Sequence, residues 1–209
     1  MGIDEIHDRI NLVLNKDRYG YRSPEEIDLA LDMAQMDSFN ELRDVFGRDQ
    51  RINDRMYPFV KESILNITSG SEAVPTDFEK MVSLSYEASG DVSEVKMVRP
   101  DEFRKLSSSQ LKTPDVNNVI GTIWNGNIEI LPAISEEFRI VYLKTPAKPE
   151  YAYSQSGRQI TFNQAGSTDL EWNDSAVNEI VQKAISILAQ SIKDNRTMQY
   201  AEMKDQQGV

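Results

Sequence analysis

The 209-residue sequence contains no cysteine and only one histidine, His7. The first absence excludes disulfides and thiolate metal sites. The second leaves too few imidazoles for a zinc site built on a histidine pair, and any Ser-His nucleophile system would have to use His7 itself, while a Cys-His system is excluded by the missing thiol. Cationic side chains are also scarce: 23 Lys and Arg stand against 34 Asp and Glu, giving a formal net charge of -11. A protein that grips a duplex gains affinity by releasing counterions through Lys and Arg. The charge therefore argues against a DNA-gripping protein, though not against a wall that surrounds DNA without holding it. No apolar run has the length needed to span a bilayer. Met1 to Asp8 is acidic and periodic, unlike a signal or transit peptide.

What is present suits a folded protein. Hydrophobic residues make up 39% and charged residues 27%, an ordinary globular balance. The length allows one elaborated domain or two small ones, with a core that needs no staples.

Along the chain, Ile3, Ile6, Ile10, Val13 and Leu14 follow helical spacing and predict a helix over 3–15. Asn15 to Tyr21 reads as a turn. Ser23-Pro24-Glu25-Glu26 is a helix start: Ser23 can cap, Pro24 suits the first helical position, and Glu26 completes a capping box. That helix should run to about Phe46 and stop at Gly47. Residues 52–67 carry a weaker apolar pattern, in which Pro58 and the β-branched end favour extended structure. Ser69 to Val74 reads as loop and Asp77 to Met81 as a helical turn. Met81 to Glu87 and Ser93 to Val98 alternate like strands, and Pro100 to Leu106 suits a short helix. The sharpest local signal is Asn125-Gly126 between the alternating runs 119–124 and 127–131, the preferred type I′ hairpin turn. Phe138 to Leu143 predicts a further strand. The segment 81–143 thus reads as a small antiparallel sheet between helical segments. Thr145 to Pro149 is a stiff connector, 151–153 and 159–162 a short strand pair, and Asn163 to Ser167 a turn. A cap among Asn173, Asp174 and Ser175 opens a last helix, to about Asp194, with Val177, Val181, Ala184, Leu188 and Ile192 on one face. Residues 195–209 read as a polar, flexible tail.

Chemistry-bearing patterns are few. Gly121 and Gly126 have P-loop spacing, but Asn127-Ile128 stand where Lys and Ser or Thr must reach phosphate and magnesium. No nucleophile elbow and no calcium loop occur. Asp4, His7 and Asp8 share a helix face at metal-ligand spacing, where a solvated polar face is the commonplace alternative. Glu136-Glu137 and Asp169/Glu171 are carboxylate pairs, yet acid-base catalysis needs two carboxylates held roughly 5 to 10 Å apart across a cleft, which sequence neighbours do not provide alone. Trp124 and Trp172 are candidates for stacking on a ligand, with core packing as the default.

The second half carries a resemblance. Gly126-Asn127-Ile128-Glu129-Ile130-Leu131-Pro132 precedes Phe138-Arg139-Ile140-Val141-Tyr142-Leu143-Lys144-Thr145-Pro146 and Pro149-Glu150-Tyr151. Ser167-Thr168-Asp169-Leu170-Glu171-Trp172 and a long helix follow, and the chain closes through Tyr200-Ala201-Glu202. Together with Asn15 to Gly20 and Ser23 to Glu26, this succession resembles the head-to-tail adaptor, or portal-bound ring, proteins of tailed phages of Bacteroidetes, the crAss-like phages and their relatives. The likeness is clearest over residues 11–46 and 119–203. It implies a virion structural protein without cofactor, made in the host cytoplasm and built into the capsid vertex or neck. It implies a homo-oligomeric ring, commonly a dodecamer, docked on the portal protein and contacted by other tail and neck proteins. Genomic DNA would pass through without specific binding, and no membrane is involved. The C-terminal segment would thread onto the portal, with Met198, Tyr200 and Met203 as anchors and Arg196 and Lys204 as charge partners.

The expected fold is α+β. A helical part over 1–74 and a helix over 166–194 enclose a β-rich insertion over 75–165, followed by an extended tail over 195–209. Two rivals stand beside the adaptor. One is a neck-associated wall hydrolase that pairs Glu129 or Glu137 with Asp169 or Glu171. The other is a free acidic inhibitor that mimics DNA.

Overall fold

The structure is a computed structural model that describes residues 1–16, 22–67, 69–88, 91–109, 113–134, 136–157 and 159–206, with the backbone alone at 15–16, 88, 159–160 and 191–206. The turn expected over Asn15 to Tyr21 lies almost wholly outside the described residues. The fold is α+β, and the chain divides into two compact units. A helical unit comprises Met1–Pro58 and Pro146–Val209, and a β unit comprises Phe59–Thr145.

Helix α1 spans Ile3–Lys16. Ile3, Ile6, Ile10 and Leu14 are buried and form its inner stripe. Helix α2 spans Pro24–Arg43 and opens with the expected capping box. The Ser23 hydroxyl accepts from the Glu26 amide at 3.3 Å, and the Glu26 carboxylate accepts from the Ser23 amide at 3.2 Å. Such a cap is worth about 1 kcal/mol. The helix ends earlier than its apolar pattern predicts. From Val45 the amides bond three residues back, which tightens the chain ahead of Gly47 at φ +89°. Asp49 then caps a short helix α3, Gln50–Met56, by accepting from the Arg51 amide. Helical structure therefore fills the first half of a segment expected to be extended.

Helix α5 spans Asp174–Gln206, with the Asn173 carboxamide accepting from the Ala176 amide at its start. Ala176, Val177, Ile180, Val181, Ala184 and Leu188 are buried along one stripe, and α5 packs on α1 and α2. The backbone stays helical to Gln206 instead of becoming an extended tail at Asn195. The first glycine or proline after Asp174 is Gly208, and residues 195–206 are rich in Arg, Met, Gln, Ala, Glu and Lys, which suit helix. Residues 207–209 of the expected tail, and the side chain of Ile192, lie outside the described residues.

The β unit holds two four-stranded sheets rather than one. The first has the order β1-β8-β3-β4, from strands Val60–Asn66, Glu137–Lys144, Phe78–Ala88 and Asp91–Glu94, all antiparallel. The second has the order β2-β7-β6-β5, from Ser71–Ala73, Asn127–Leu131, Ile120–Trp124 and Lys96–Met97. Its β5–β6 pair is parallel. Two expectations are corrected here. Ser71–Ala73 is a strand because it pairs with β7, a partner distant in sequence. Asp77 to Met81 is not a helical turn, since β3 begins at Phe78 and pairs with β8. The strand expected over Ser93 to Val98 breaks at Val95, whose amide bonds the Leu84 carbonyl as the chain passes from one sheet to the other. Leu65, Leu84, Tyr86, Phe138 and Ile140 from the first sheet share one apolar cluster with Val95, Val119, Ile128 and Ile130. Burying such side chains contributes roughly 1.5–3 kcal/mol each. The β6–β7 hairpin turns as expected, with Asn125 at φ +50° and Gly126 at φ +77°. Helix α4, Pro100–Ser107, packs on β6 and buries Phe103.

The compact β unit thus begins earlier and ends earlier than the expected insertion over 75–165. Pairing of β1 and β2 draws in 60–73. The hairpin β9–β10, Tyr153–Ser156 and Gln159–Phe162, belongs instead to the helical unit, where the Tyr153 hydroxyl donates to Glu25 at 2.6 Å.

Candidate functional site

In the helical unit a set of side chains from three segments meets around His7. The sequence groups His7 with Asp4 and Asp8 on a polar face. Asp4 and Asp8 are exposed, whereas His7 is only 4% exposed. It lies in line with Ile3, Ile10 and Leu14, the spacing of the buried stripe. Its Nε2 sits 2.8 Å from Asp28 Oδ1, from α2. The imidazole stacks on the Tyr151 ring, 4.4 Å between centroids at 19°. Asp28 Oδ2 accepts from the Tyr151 amide at 2.9 Å. One carboxylate thus ties α1, α2 and the segment leading into β9 together. A carboxylate in contact with a ring nitrogen and a backbone N–H has each of its two oxygens engaged in joining elements.

The other candidate carboxylates of this unit are engaged similarly. Asp169 accepts from the Ile3 amide at 2.6 Å and so caps the first turn of α1. Glu171 accepts from the Ala147 amide at 3.1 Å. The Ala147 carbonyl accepts from the fully buried Gln35 at 3.0 Å. The connector expected at Thr145 to Pro149 is therefore pinned at Ala147 from both sides. Trp172 is buried, as the default reading had it. A cleft of about 700 Å³ opens beside this network, lined among others by Glu25, Asp28, Lys148, Tyr151 and Tyr153.

In the β unit the polar centre is Asp77. Its carboxylate accepts from Lys61 at 2.7 Å and from the Tyr142 hydroxyl at 2.7 Å. The Lys61 hydrogen bond, foremost, holds the Asp77 carboxyl below its ordinary pKa. Burial, chiefly, pushes the Tyr142 phenol up. None of these three residues is a site candidate in the sequence, because their partnership joins β1, β8 and the turn before β3. Glu136 and Glu137 line an open hollow of about 470 Å³ with Ser85, Glu87, Val92 and Arg139. Trp124 is 48% exposed with the Arg104 guanidinium 5.0 Å from its ring centre, a cation–π contact at the hairpin.

Among the described residues, no group of three His, Asp or Glu side chains could hold a metal ion, and no helix is long and apolar enough to cross a membrane. Glu129 and Glu137 belong to the β unit, and Asp169 and Glu171 to the helical unit. Arg196, Met198, Tyr200, Met203 and Lys204 fall on the last turns of α5, and their side chains lie outside the described residues. No family model and no curated protein matches this chain.

The carboxylates of Asp28, Asp169 and Glu171 join elements distant in sequence through backbone N–H groups, which is how a carboxylate fixes a frame.

Proposed function

We propose that this chain is a virion structural protein: a head-to-tail adaptor that forms a ring on the portal vertex, bridges portal and tail, and surrounds the DNA channel. The observation that carries this reading is the division of the chain into a helical unit interrupted by a β unit. A closed ring needs heterologous contacts, in which one face of a subunit meets a different face of its neighbour. Two units of different secondary structure supply surfaces of different chemistry. The motifs of the sequence resemblance fall in both units: 126–132 on the β6–β7 hairpin and 138–145 along β8 in the β unit, and 149–151 and 167–172, ahead of α5, in the helical unit.

Charge supports the same reading. A ring of subunits that each carry a net charge of -11 does not hold phosphates as a basic wall would, which binds them tightly without regard to sequence. The engaged state of Asp28, Asp169 and Glu171 fits a protein whose polar groups hold a scaffold. The helical extension of α5 to Gln206 is the segment assigned to the portal, with Arg196, Met198, Tyr200, Met203 and Lys204 as its contacts.

The test is quantitative mass spectrometry of purified, DNA-filled particles from the source phage. The adaptor reading predicts this chain in fixed ratio to the portal protein. Its absence from washed particles would overturn the proposal.

A further inference from the structure

We propose that Asn125-Gly126 is a site of spontaneous covalent modification, at which the Asn125 carboxamide is lost through a cyclic imide. This inference rests on the β unit alone and holds whatever the chain assembles with.

Three observations place the reaction here. Asn125 and Gly126 form the tip of the β6–β7 hairpin, and both are exposed. Among the described residues, the Gly126 amide donates no hydrogen bond and the Asn125 carboxamide makes none. A Cβ built on Gly126 would meet nothing within 4 Å, so the space around the attacking nitrogen is open. The sequence singles out this dipeptide as a turn; the same small, unhindered glycine that allows the turn also leaves its nitrogen free to attack.

The chemistry closes without any other residue. The Gly126 nitrogen gives its proton to solvent base and bonds to Asn125 Cγ. The Cγ–Nδ2 bond breaks, and ammonia leaves with a proton from water. Water then adds to one of the two ring carbonyls. Opening at the side-chain carbonyl gives aspartate, and opening at the backbone carbonyl gives isoaspartate, whose main chain carries one extra carbon. Each product adds one negative charge to a chain of net charge -11. The isoaspartate route also lengthens a two-residue loop whose Gly126 carbonyl accepts from the Val74 amide at 3.0 Å. It therefore loosens the join between the hairpin and β2. Ring closure requires the turn to open first, so the fraying of the hairpin tip sets the rate.

The experiment incubates the full chain at mildly alkaline pH and maps its tryptic peptides by mass. Thr113–Arg139 is one such peptide and carries four asparagines, Asn117, Asn118, Asn125 and Asn127. The expected result is amide loss led by Asn125, with both aspartate and isoaspartate products and faster loss in urea. Asn125→Gln should abolish the loss at this position over the same period, and in urea, where the turn is already open, Gly126→Ala should slow the loss by crowding the nitrogen. Loss at Asn117, Asn118 or Asn127 equal to that at Asn125 would overturn the proposal. So would an Asn125 amide that persists in the folded protein while the urea-unfolded chain loses it.

Discussion

Replacing Asp28 with alanine removes the carboxylate that joins α1, α2 and the segment before β9. His7 and Asp28 are both buried, at 4% and 8% exposure, although the cleft beside Asp28 and Tyr151 gives water a route to part of the lost acceptor's place. Two donors are orphaned: the Tyr151 amide and a ring N–H of His7. A buried donor left unsatisfied costs about 1–3 kcal/mol, so the pair predicts a loss of roughly 2–6 kcal/mol. An exposed ion pair would cost only about 0–1 kcal/mol, and the two cases are easily told apart. The two tryptophans report separately, since Trp172 lies in the helical unit and Trp124 in the β unit. In a Trp124→Phe background, urea unfolding followed by Trp172 fluorescence reads the helical unit. Asp28→Asn keeps one carbonyl oxygen for the Tyr151 amide and should lose about 1 kcal/mol. A change below about 0.5 kcal/mol for Asp28→Ala, the scale of an unremarkable surface substitution, would refute the claim that this carboxylate holds the unit together.

The β unit gives three further expectations, each followed by Trp124 fluorescence. Leu84 is fully buried in the shared apolar cluster, so Leu84→Ala should cost about 2–5 kcal/mol by urea titration. Gly126 lies at φ +77° with open space around it, so the cost of Gly126→Ala comes from the backbone alone, about 1–2 kcal/mol. The third concerns pH. Asp77 has a lowered folded pKa, so its stability contribution is complete above the unfolded value and fades as pH falls through the folded one. Tyr142 has a raised folded pKa, so its contribution is complete below its unfolded value and fades as pH rises through the folded one. Asp77→Asn should flatten the acid limb of the stability profile and Tyr142→Phe the alkaline limb; unchanged limbs would contradict these assignments.

Elements defined by their own residues were legible in the sequence. The capping box at Ser23, the Asn125-Gly126 hairpin and the α5 stripe through Leu188 each rest on a few neighbouring side chains, and each stands where the spacing puts it. Elements defined by a distant partner were not. Ser71–Ala73 is too short and polar to declare itself and becomes a strand only because β7 lies alongside. The first strand of the β unit reads as a weak pattern after Pro58 because its apolar face is completed by β8. His7 shows the same limit at the level of a site. Its polarity and its neighbours Asp4 and Asp8 suggest a solvated face, whereas its spacing from Ile3, Ile10 and Leu14 puts it inside. Spacing prevails because Asp28 and Tyr151, far along the chain, offset the cost of burying a polar ring. The engagement of Asp169 and Glu171 with backbone amides was likewise hidden, since each partner lies in a remote segment.

The central claim is that this chain forms a ring on a portal, and co-expression with a candidate portal protein tests that claim most directly. The account predicts a portal particle carrying a stoichiometric ring of this chain, visible by electron microscopy and confirmed by mass. Deleting residues 195–209 should abolish the association if that segment is the anchor; a ring that survives the deletion would keep the function and discard the anchor. Portal particles that never carry this chain would contradict the account.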